Sequence, residues 1–111
     1  MIRVRHYTRV SSMRMILAEG VIRARDQNKV FVELASARKL SPQDAVKKYG
    51  LDPGKGNAYI EFEIADDLLM WQRNPQLKVD EYFTFGDVLL GEGEFEAFFN
   101  IRGSRSWKPK L

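Results

Sequence analysis

The stretch Ile2-Arg3-Val4-Arg5-His6-Tyr7-Thr8 opens the chain and contains its only histidine. Apolar and polar side chains alternate along it with period two, which is typical of a half-buried β-strand. This alternation places His6 on the apolar face, with Ile2 and Val4. The arginine side chains point to the opposite face. We therefore expect the histidine to be partly shielded from water, at the end of the first strand.

A short helix, a glycine and a second apolar run follow this strand. Ser11 or Ser12 is a suitable N-cap, and apolar residues then recur at helical spacing. Gly20 is a favourable residue for the helix end, and a short extended segment follows it. The run Lys29-Val30-Phe31-Val32-Glu33-Leu34 is rich in β-forming residues and predicts the next strand.

The rest of the chain predicts one further helix and then mainly strands. Ser41 is a suitable N-cap, Pro42 suits the first helical position, and Gly50 suits the C-terminal end. Strands are predicted over residues 58–64, 68–72, 80–85, 88–90 and 95–101. Two short helices in the N-terminal half followed by runs of strands favour an α+β fold with a mostly antiparallel sheet.

The composition limits the possible functions. A chain of 111 residues is the size of one domain, which we assign to residues 1–101. It contains no cysteine, which excludes disulfides, a thiolate nucleophile and a cysteine-bound metal. One histidine also excludes a histidine-rich zinc site, and we expect no metal. No apolar run is long enough for a membrane span, and the N-terminus lacks the apolar core of a signal peptide.

Basic residues are concentrated at the two ends of the chain. Residues 1–30 contain seven Lys or Arg and two acidic residues, whereas residues 31–101 contain seven and thirteen. Residues 102–111 form a predicted basic tail with four Lys or Arg, no acid, and Trp107 as a possible anchor. Such ends are suited to a polyanion, although many of these charges would simply be solvated.

Three side chains are candidates for chemistry, and each also has a structural interpretation. His6 could be a hydrogen-bonded core residue or a catalyst, and Phe31 could be core or a stacking surface for a planar ligand. Glu81 shares the apolar face of an aromatic strand with Phe83, where an acid needs a partner or a role. Gly54-Lys55-Gly56 lacks the spacing of a phosphate-binding loop and is interpreted as a turn.

Several blocks of the sequence, taken in order, resemble the ADP-ribosyltransferase fold. They are most similar to the His-Tyr-Thr type of toxin domain found at the C-termini of bacterial Rhs and other polymorphic toxins. The resemblance covers roughly residues 3–100. Its blocks are Arg5-His6-Tyr7-Thr8, Met15–Ile22, Lys29–Glu33, Leu40–Ala45, Gly54–Phe62 and Glu81–Val88. It implies a split, mostly antiparallel sheet.

The resemblance also implies a set of site residues. In the histidine-type branch, His6 would hold the ribose next to nicotinamide, Phe31 would replace the tyrosine that stacks on nicotinamide, and Glu81 would be the catalytic acid. The dinucleotide site would further include Arg5, Tyr7, Thr8 and Ile22, with Arg3, Arg5 or another N-terminal arginine neutralising the pyrophosphate. An arginine-type branch, with Arg5 and the pair Glu94 and Glu96, remains an alternative.

The implied function is that of an NAD-dependent mono-ADP-ribosyltransferase toxin. It would transfer ADP-ribose from NAD to a protein, for example a translation factor, or to an RNA. The domain would be secreted as part of a larger toxin and act in the cytoplasm of a competing bacterial cell. It would be a monomer when free and would be neutralised by a cognate immunity protein. Two alternatives are a metal-independent ribonuclease, with His6 as base, and a basic module that binds nucleic acid or protein.

Overall fold

The computed structural model describes residues 1–91 and 94–101. The predicted tail over residues 102–111 lies outside this range. These described residues form two helices, α1 (Val10–Glu19) and α2 (Pro42–Tyr49), and a 3₁₀ turn at Asp66–Leu68. The strands are β1 (Ile2–Thr8), β2 (Val21–Ile22), β3 (Lys29–Leu34), β4 (Ala58–Ile64), β5 (Met70–Asn74), β6 (Val79–Phe85), β7 (Val88–Leu89) and β8 (Phe95–Phe99).

Six strands form one antiparallel sheet in the order β5-β6-β3-β1-β4-β8, and β2 pairs with β7 in a separate two-stranded sheet. The predicted α+β fold with a mostly antiparallel sheet and two short helices in the N-terminal half is confirmed. Within the described residues, no helix is long and apolar enough to cross a membrane.

The pairing of β1 is strongly unequal on its two sides. Seven positions of β1 pair with β4, from Ile2 opposite Ile64 to Thr8 opposite Ala58. On the other side, β1 pairs with β3 at only two positions, Val4 opposite Leu34 and Arg5 opposite Glu33. The sheet is therefore open between the C-terminal end of β1 and the N-terminal end of β3.

Each face of the sheet carries its own core. Val4, Ile60 and Phe62 face the first helix, where Met13 and Ile16 complete the larger cluster. A smaller cluster on the other face packs Tyr7 and Tyr59 against Ala45 of α2. Because side chains alternate along a strand, consecutive residues of β1 take part in different cores.

Helix α1 begins earlier than Ser11 or Ser12 would predict. Its N-cap is Arg9, which caps without a side-chain hydrogen bond, and the amide of Met13 already donates to the Arg9 carbonyl at 2.8 Å. The helix starts there because β1 ends at Thr8 and the chain turns at once. Both serines lie inside the first turn, so the predicted side-chain cap is wrong.

Helix α2 has the predicted ends. Ser41 is its N-cap, and the Ser41 Oγ accepts a hydrogen bond from the amide of Asp44 at 3.1 Å. Pro42 occupies the first turn, and Gly50 ends the helix in the left-handed conformation with φ of 61°. The residue types at both ends thus have the backbone geometry they favour.

Two strands have boundaries that differ from the prediction by two residues, and two others, β6 and β7, differ by one residue. Strand β5 runs from Met70 to Asn74, later than predicted, because the preceding residues form the 3₁₀ turn. Strand β8 ends at Phe99, because the side-chain amide of Asn100 turns to donate to the carbonyl oxygens of Leu40 and Gly56 at 2.9 and 3.0 Å.

Candidate active site

A cleft of about 1020 Å³ lies where the sheet is open between β1 and β3. Its size is at the upper end of the roughly 300–1,000 Å³ typical of small-molecule sites. Helix α1 and strand β2 supply one wall, and the loop after α2 and the β5–β6 turn supply the other. Seven of the site residues predicted in the histidine-type interpretation line it, whereas Arg3, which was also considered for the pyrophosphate, does not; the seven are Arg5, His6, Tyr7, Thr8, Ile22, Phe31 and Glu81.

His6 bridges the gap between the two diverging strands. Its Nδ1 lies 2.7 Å from the carbonyl oxygen of Phe31, and a carbonyl can only accept, so Nδ1 must carry the proton. Burial lowers the pKa of His6, the hydrogen bond to Phe31 opposes this, and the positive charge of Lys55 lowers the pKa further. The neutral ring therefore leaves Nε2 as a hydrogen-bond acceptor.

Two of the other predicted residues form apolar surfaces of the cleft. The ring of Phe31 is partly exposed, and its centroid lies 6.0 Å from that of Phe83 on the neighbouring strand. Ile22 is only 1% exposed and belongs mainly to the core under α1. Phe31 can thus offer a ring to a ligand, whereas Ile22 lines the cleft as a buried core residue.

Arg5 and Tyr7 are engaged within the protein. The guanidinium of Arg5 donates to Glu33, Glu61 and the carbonyl oxygens of Ala35 and Ala37, and its side chain is 6% exposed. The Tyr7 hydroxyl donates to the same Glu33 carboxylate at 2.7 Å. These bonds lock β1 to β3 just before the gap, so the Arg5 donors are used internally.

Glu81 reaches the cleft from β6, the strand beside β3. It lies on the same face as Phe31 and Phe83, which is the face opposite to that of His6. In a continuous sheet, the histidine and the glutamate would be separated by the backbone layer. Here both line one cavity, because the sheet is open between β1 and β3.

Glu94 and Glu96, the alternative acid pair, lie elsewhere. Glu96 is on β8, at the sheet edge opposite to β5 and β6, and 3.7 Å from the guanidinium of Arg3. Glu94 immediately precedes that strand and is exposed. Neither residue lines the cleft. The geometry therefore favours Glu81 as the acid that could act together with His6.

Several polar residues in the cleft were not identified from the sequence. Arg9 and Arg25 line it, and within residues 1–91 and 94–101 neither forms an ion pair. A β-carbon placed on Gly54 would lie 3.9 Å from the Arg9 Nε, so this arginine extends along the loop that contains Lys55. Only the three-dimensional approach of that loop to β1 could reveal this basic end of the cleft.

In the described part of the chain, no group of three or more histidine, aspartate or glutamate side chains is placed to hold a metal ion. The chemistry available to the cleft comes from a neutral imidazole, a carboxylate, an aromatic ring and unpaired arginines. Such groups suit an anionic ligand that contains hydroxyls and a planar ring.

Comparison with known protein families gives one match. The family described as "HYD1 signature containing ADP-ribosyltransferase" matches residues 4–91, which include all of the cleft residues described above. Neither the curated proteins nor the solved structures contain a significant match to the chain.

Proposed function

The chain belongs to the ADP-ribosyltransferase toxin domains with the HYD1 signature, and from this membership we infer that it uses NAD as its ADP-ribose donor. We assign NAD to the cleft between β1 and β3. In the reaction, the bond between nicotinamide and ribose breaks, nicotinamide leaves, and a nucleophile of the target molecule bonds to the same ribose carbon. The transfer of a single ADP-ribose unit makes the domain a mono-ADP-ribosyltransferase.

The observation that carries this proposal is the position of His6. Its protonated Nδ1 is fixed on the Phe31 carbonyl, so a neutral Nε2 can accept a hydrogen bond from a ribose hydroxyl. The Phe31 ring points to the opposite face of the sheet, where it lines the same cleft, is partly exposed and offers a flat apolar surface to nicotinamide. The role of His6 is to hold the substrate in a reactive position, and it need not titrate.

Glu81 is the proposed catalytic acid. Positive charge develops on the ribose as nicotinamide leaves, and a carboxylate in a partly enclosed cleft stabilises that charge. One carboxylate oxygen accepts a hydrogen bond from Gln72 at 3.4 Å. Among the described residues, the other oxygen has no hydrogen-bond partner, which leaves it for the substrate.

Arg9 replaces Arg5 as the proposed partner of the NAD pyrophosphate. The Arg5 donors are already used by buried acceptors, and Arg3 does not line the cleft. Arg9 is exposed at the cleft edge and forms no ion pair with a described residue. Arginine is well suited to phosphate groups because its planar donors bind two oxygens at once.

The test is incubation of the protein with labelled NAD and a bacterial lysate. We expect transfer of label to a macromolecule, and we expect Glu81→Gln to reduce the rate by roughly 10²–10³, as when one preorganised charged group is removed. Glu94→Gln is the matched control, because it removes an exposed acid outside the cleft. Full activity in Glu81→Gln together with loss in Glu94→Gln would overturn the assignment.

The same experiment separates the other functional classes. Degradation of RNA without NAD would indicate a ribonuclease, and neither labelling nor degradation would indicate a binding module. Gel analysis of the labelled material distinguishes a protein target, such as a translation factor, from an RNA target. If no macromolecule is labelled from NAD, whether or not RNA is degraded, the proposed reaction is contradicted.

We also propose that the domain is delivered to the cytoplasm of a competing bacterial cell as part of a larger Rhs or related polymorphic toxin, and that an immunity protein neutralises it. The unpaired arginines at the cleft edge would attract an acidic inhibitor. Expression of the domain inside a bacterium should stop growth, whereas the Glu81→Gln variant should be tolerated. Equal toxicity of the two proteins would contradict an enzymatic toxin.

A further inference from the structure

Glu81 lies directly opposite Gln72 in the pairing of β6 with β5. The side-chain amide Nε2 of Gln72 donates to the Oε1 of Glu81 at 3.4 Å. This contact joins the proposed catalytic acid to a side chain of the edge strand. A carboxylate on a flexible side chain gains a defined direction when one of its oxygens is held in this way.

The other end of the Gln72 amide is held by Lys29. The Lys29 Nζ donates to the Gln72 Oε1 at 3.1 Å. A lysine can only donate and a carboxylate can only accept, so one orientation of the amide satisfies both neighbours. The order Lys29–Gln72–Glu81 therefore fixes which end of the amide faces the acid.

Lys29 is itself held at the end of this chain of contacts. Its ammonium lies 4.4 Å from the centroid of the Phe83 ring and 6.0 Å from that of the Phe31 ring. It also donates to the Gln27 Oε1 at 3.1 Å. Cation–π attraction and two hydrogen bonds leave the lysine little freedom to move away. The ring proposed to face nicotinamide thus belongs to the same cluster that orients the acid.

We propose that Lys29 and Gln72 are positioning residues that orient the Glu81 carboxylate toward the ribose. This inference rests on the proposed function. Lys29 fixes the orientation of the Gln72 amide, and the Gln72 amide in turn holds one carboxylate oxygen of Glu81. The other oxygen of Glu81 faces the substrate. Lys29 lines the cleft, whereas Gln72 does not. A change at Gln72 should therefore affect the chemical step more than substrate binding.

The experiment measures kcat and KM for NAD cleavage in Gln72→Met, Lys29→Met and Lys29→Arg. Gln72→Met keeps the length of the side chain but removes both hydrogen bonds. We expect kcat to fall on the order of tenfold in both Gln72→Met and Lys29→Met, because a small misplacement of a catalytic group lowers the rate, and we expect KM to stay unchanged in Gln72→Met, since Gln72 does not line the cleft. Lys29→Arg should recover most of the activity, since arginine keeps the donor and the contact with the rings.

Arg73→Met is the matched control. Arg73 follows Gln72 on β5, but its side chain points to the other face and pairs with Asp80 at 3.2 Å, with more than half of both side chains exposed. Its removal should leave kcat unchanged. Thermal unfolding of all variants shows whether a loss of activity reflects a loss of folding.

A double mutant separates orientation of Glu81 from any independent effect. If Gln72 acts through Glu81, then Gln72→Met should cause no further loss in a Glu81→Gln background. A full additional loss there, or wild-type kcat in Gln72→Met, overturns the positioning role while the proposed function stands. If the wild-type protein does not cleave NAD, the proposed function fails and this inference fails with it.

Discussion

His6 combines a structural contact with the position proposed to hold the ribose. It is on the apolar face of β1, yet its ring reaches across a gap to a backbone carbonyl. Strand pairing would normally supply the partner of the Phe31 carbonyl, and the imidazole replaces it. The side chain that satisfies this buried acceptor is therefore also the one that presents a free nitrogen to the cleft.

The first prediction concerns the protonation of His6. Burial and the charge of Lys55 lower the pKa of His6, so NMR titration of this one imidazole should give a midpoint below the usual 6.5. Lys55→Gln should move the midpoint upward. The unfolded chain takes up its proton near pH 6.5 and the folded chain only at lower pH. The free energy of unfolding should therefore fall as pH decreases below about 6.5.

His6→Gln is the control for this pH dependence. It removes the titrating group, so the fall in stability between about pH 6.5 and pH 5.5 should be smaller in the variant. A midpoint above about 7.5 in the wild-type protein would mean that the ring is mostly charged near neutral pH. That result would contradict the role of Nε2 as an acceptor.

The second prediction concerns the buried acid that holds the strands together. Glu33 is 3% exposed and accepts hydrogen bonds from Arg5, Tyr7 and Tyr49. Glu33→Ala would leave a buried guanidinium and two hydroxyls without this acceptor, at a cost of about 3–5 kcal/mol. Urea unfolding measures the change. The exposed pair of Arg23 with Glu19 is the comparison, and Glu19→Ala should cost under about 1 kcal/mol.

At the scale of elements, the two helices start by different means. Helix α2 has a side-chain cap, whereas α1 begins directly after a strand and uses a backbone carbonyl. The same residue type, serine, is therefore a cap before one helix and an ordinary first-turn residue in the other. Local sequence favours a cap at both places, and the position where β1 stops decides between them.

The third prediction compares these serines. Ser41→Ala removes the acceptor for the Asp44 amide and should lower the free energy of unfolding by about 1 kcal/mol. Ser11→Ala should change it by less than about 0.5 kcal/mol, because Ser11 is an exposed residue that does not cap α1. Equal costs in chemical denaturation would mean that Ser11 caps α1 in solution.

At the scale of the whole molecule, the opening in the sheet determines where charged side chains and the proposed catalytic residues lie together. Strand β1, the N-cap of α1, the segment after β2 and the loop after α2 bring six Lys or Arg from separate parts of the chain to one cleft, which five Asp or Glu also line. Arg9 and Arg25 form no ion pair with a described residue. An anionic dinucleotide would thus be attracted to these two unpaired charges in a chain whose formal net charge is only +3.

The fourth prediction tests this basic edge. In the Glu81→Gln background, which slows turnover, Arg9→Gln should weaken NAD binding about tenfold, the usual effect of one charged hydrogen bond. Arg14→Gln is the control, since Arg14 is exposed on α1 and does not line the cleft. Calorimetry measures both, and added salt should reduce the difference. Equal weakening by the two variants would argue against a specific contact at Arg9.

The local sequence pattern was sufficient to predict much of the fold. The strands Lys29–Leu34 and Ala58–Ile64 and helix α2 follow from alternation and from residue types at their ends, because these depend on neighbours in the chain. The face of His6 and the shared face of Glu81 and Phe83 follow from the same period of two. Pattern could not show that Arg5 is captured by buried acids, since those acids are distant in sequence.

The sequence by itself determined the types of the elements, the faces of their side chains and the candidate residues of the site. The tertiary structure decided which strands are neighbours and where their pairing stops. The ladder between β1 and β3 ends after two positions, and Glu94 and Glu96 are carried to the far edge. Strand neighbours depend on contacts between distant segments, which no local period encodes. His6 and Glu81, on opposite faces of their strands, share a cleft only because that pairing stops.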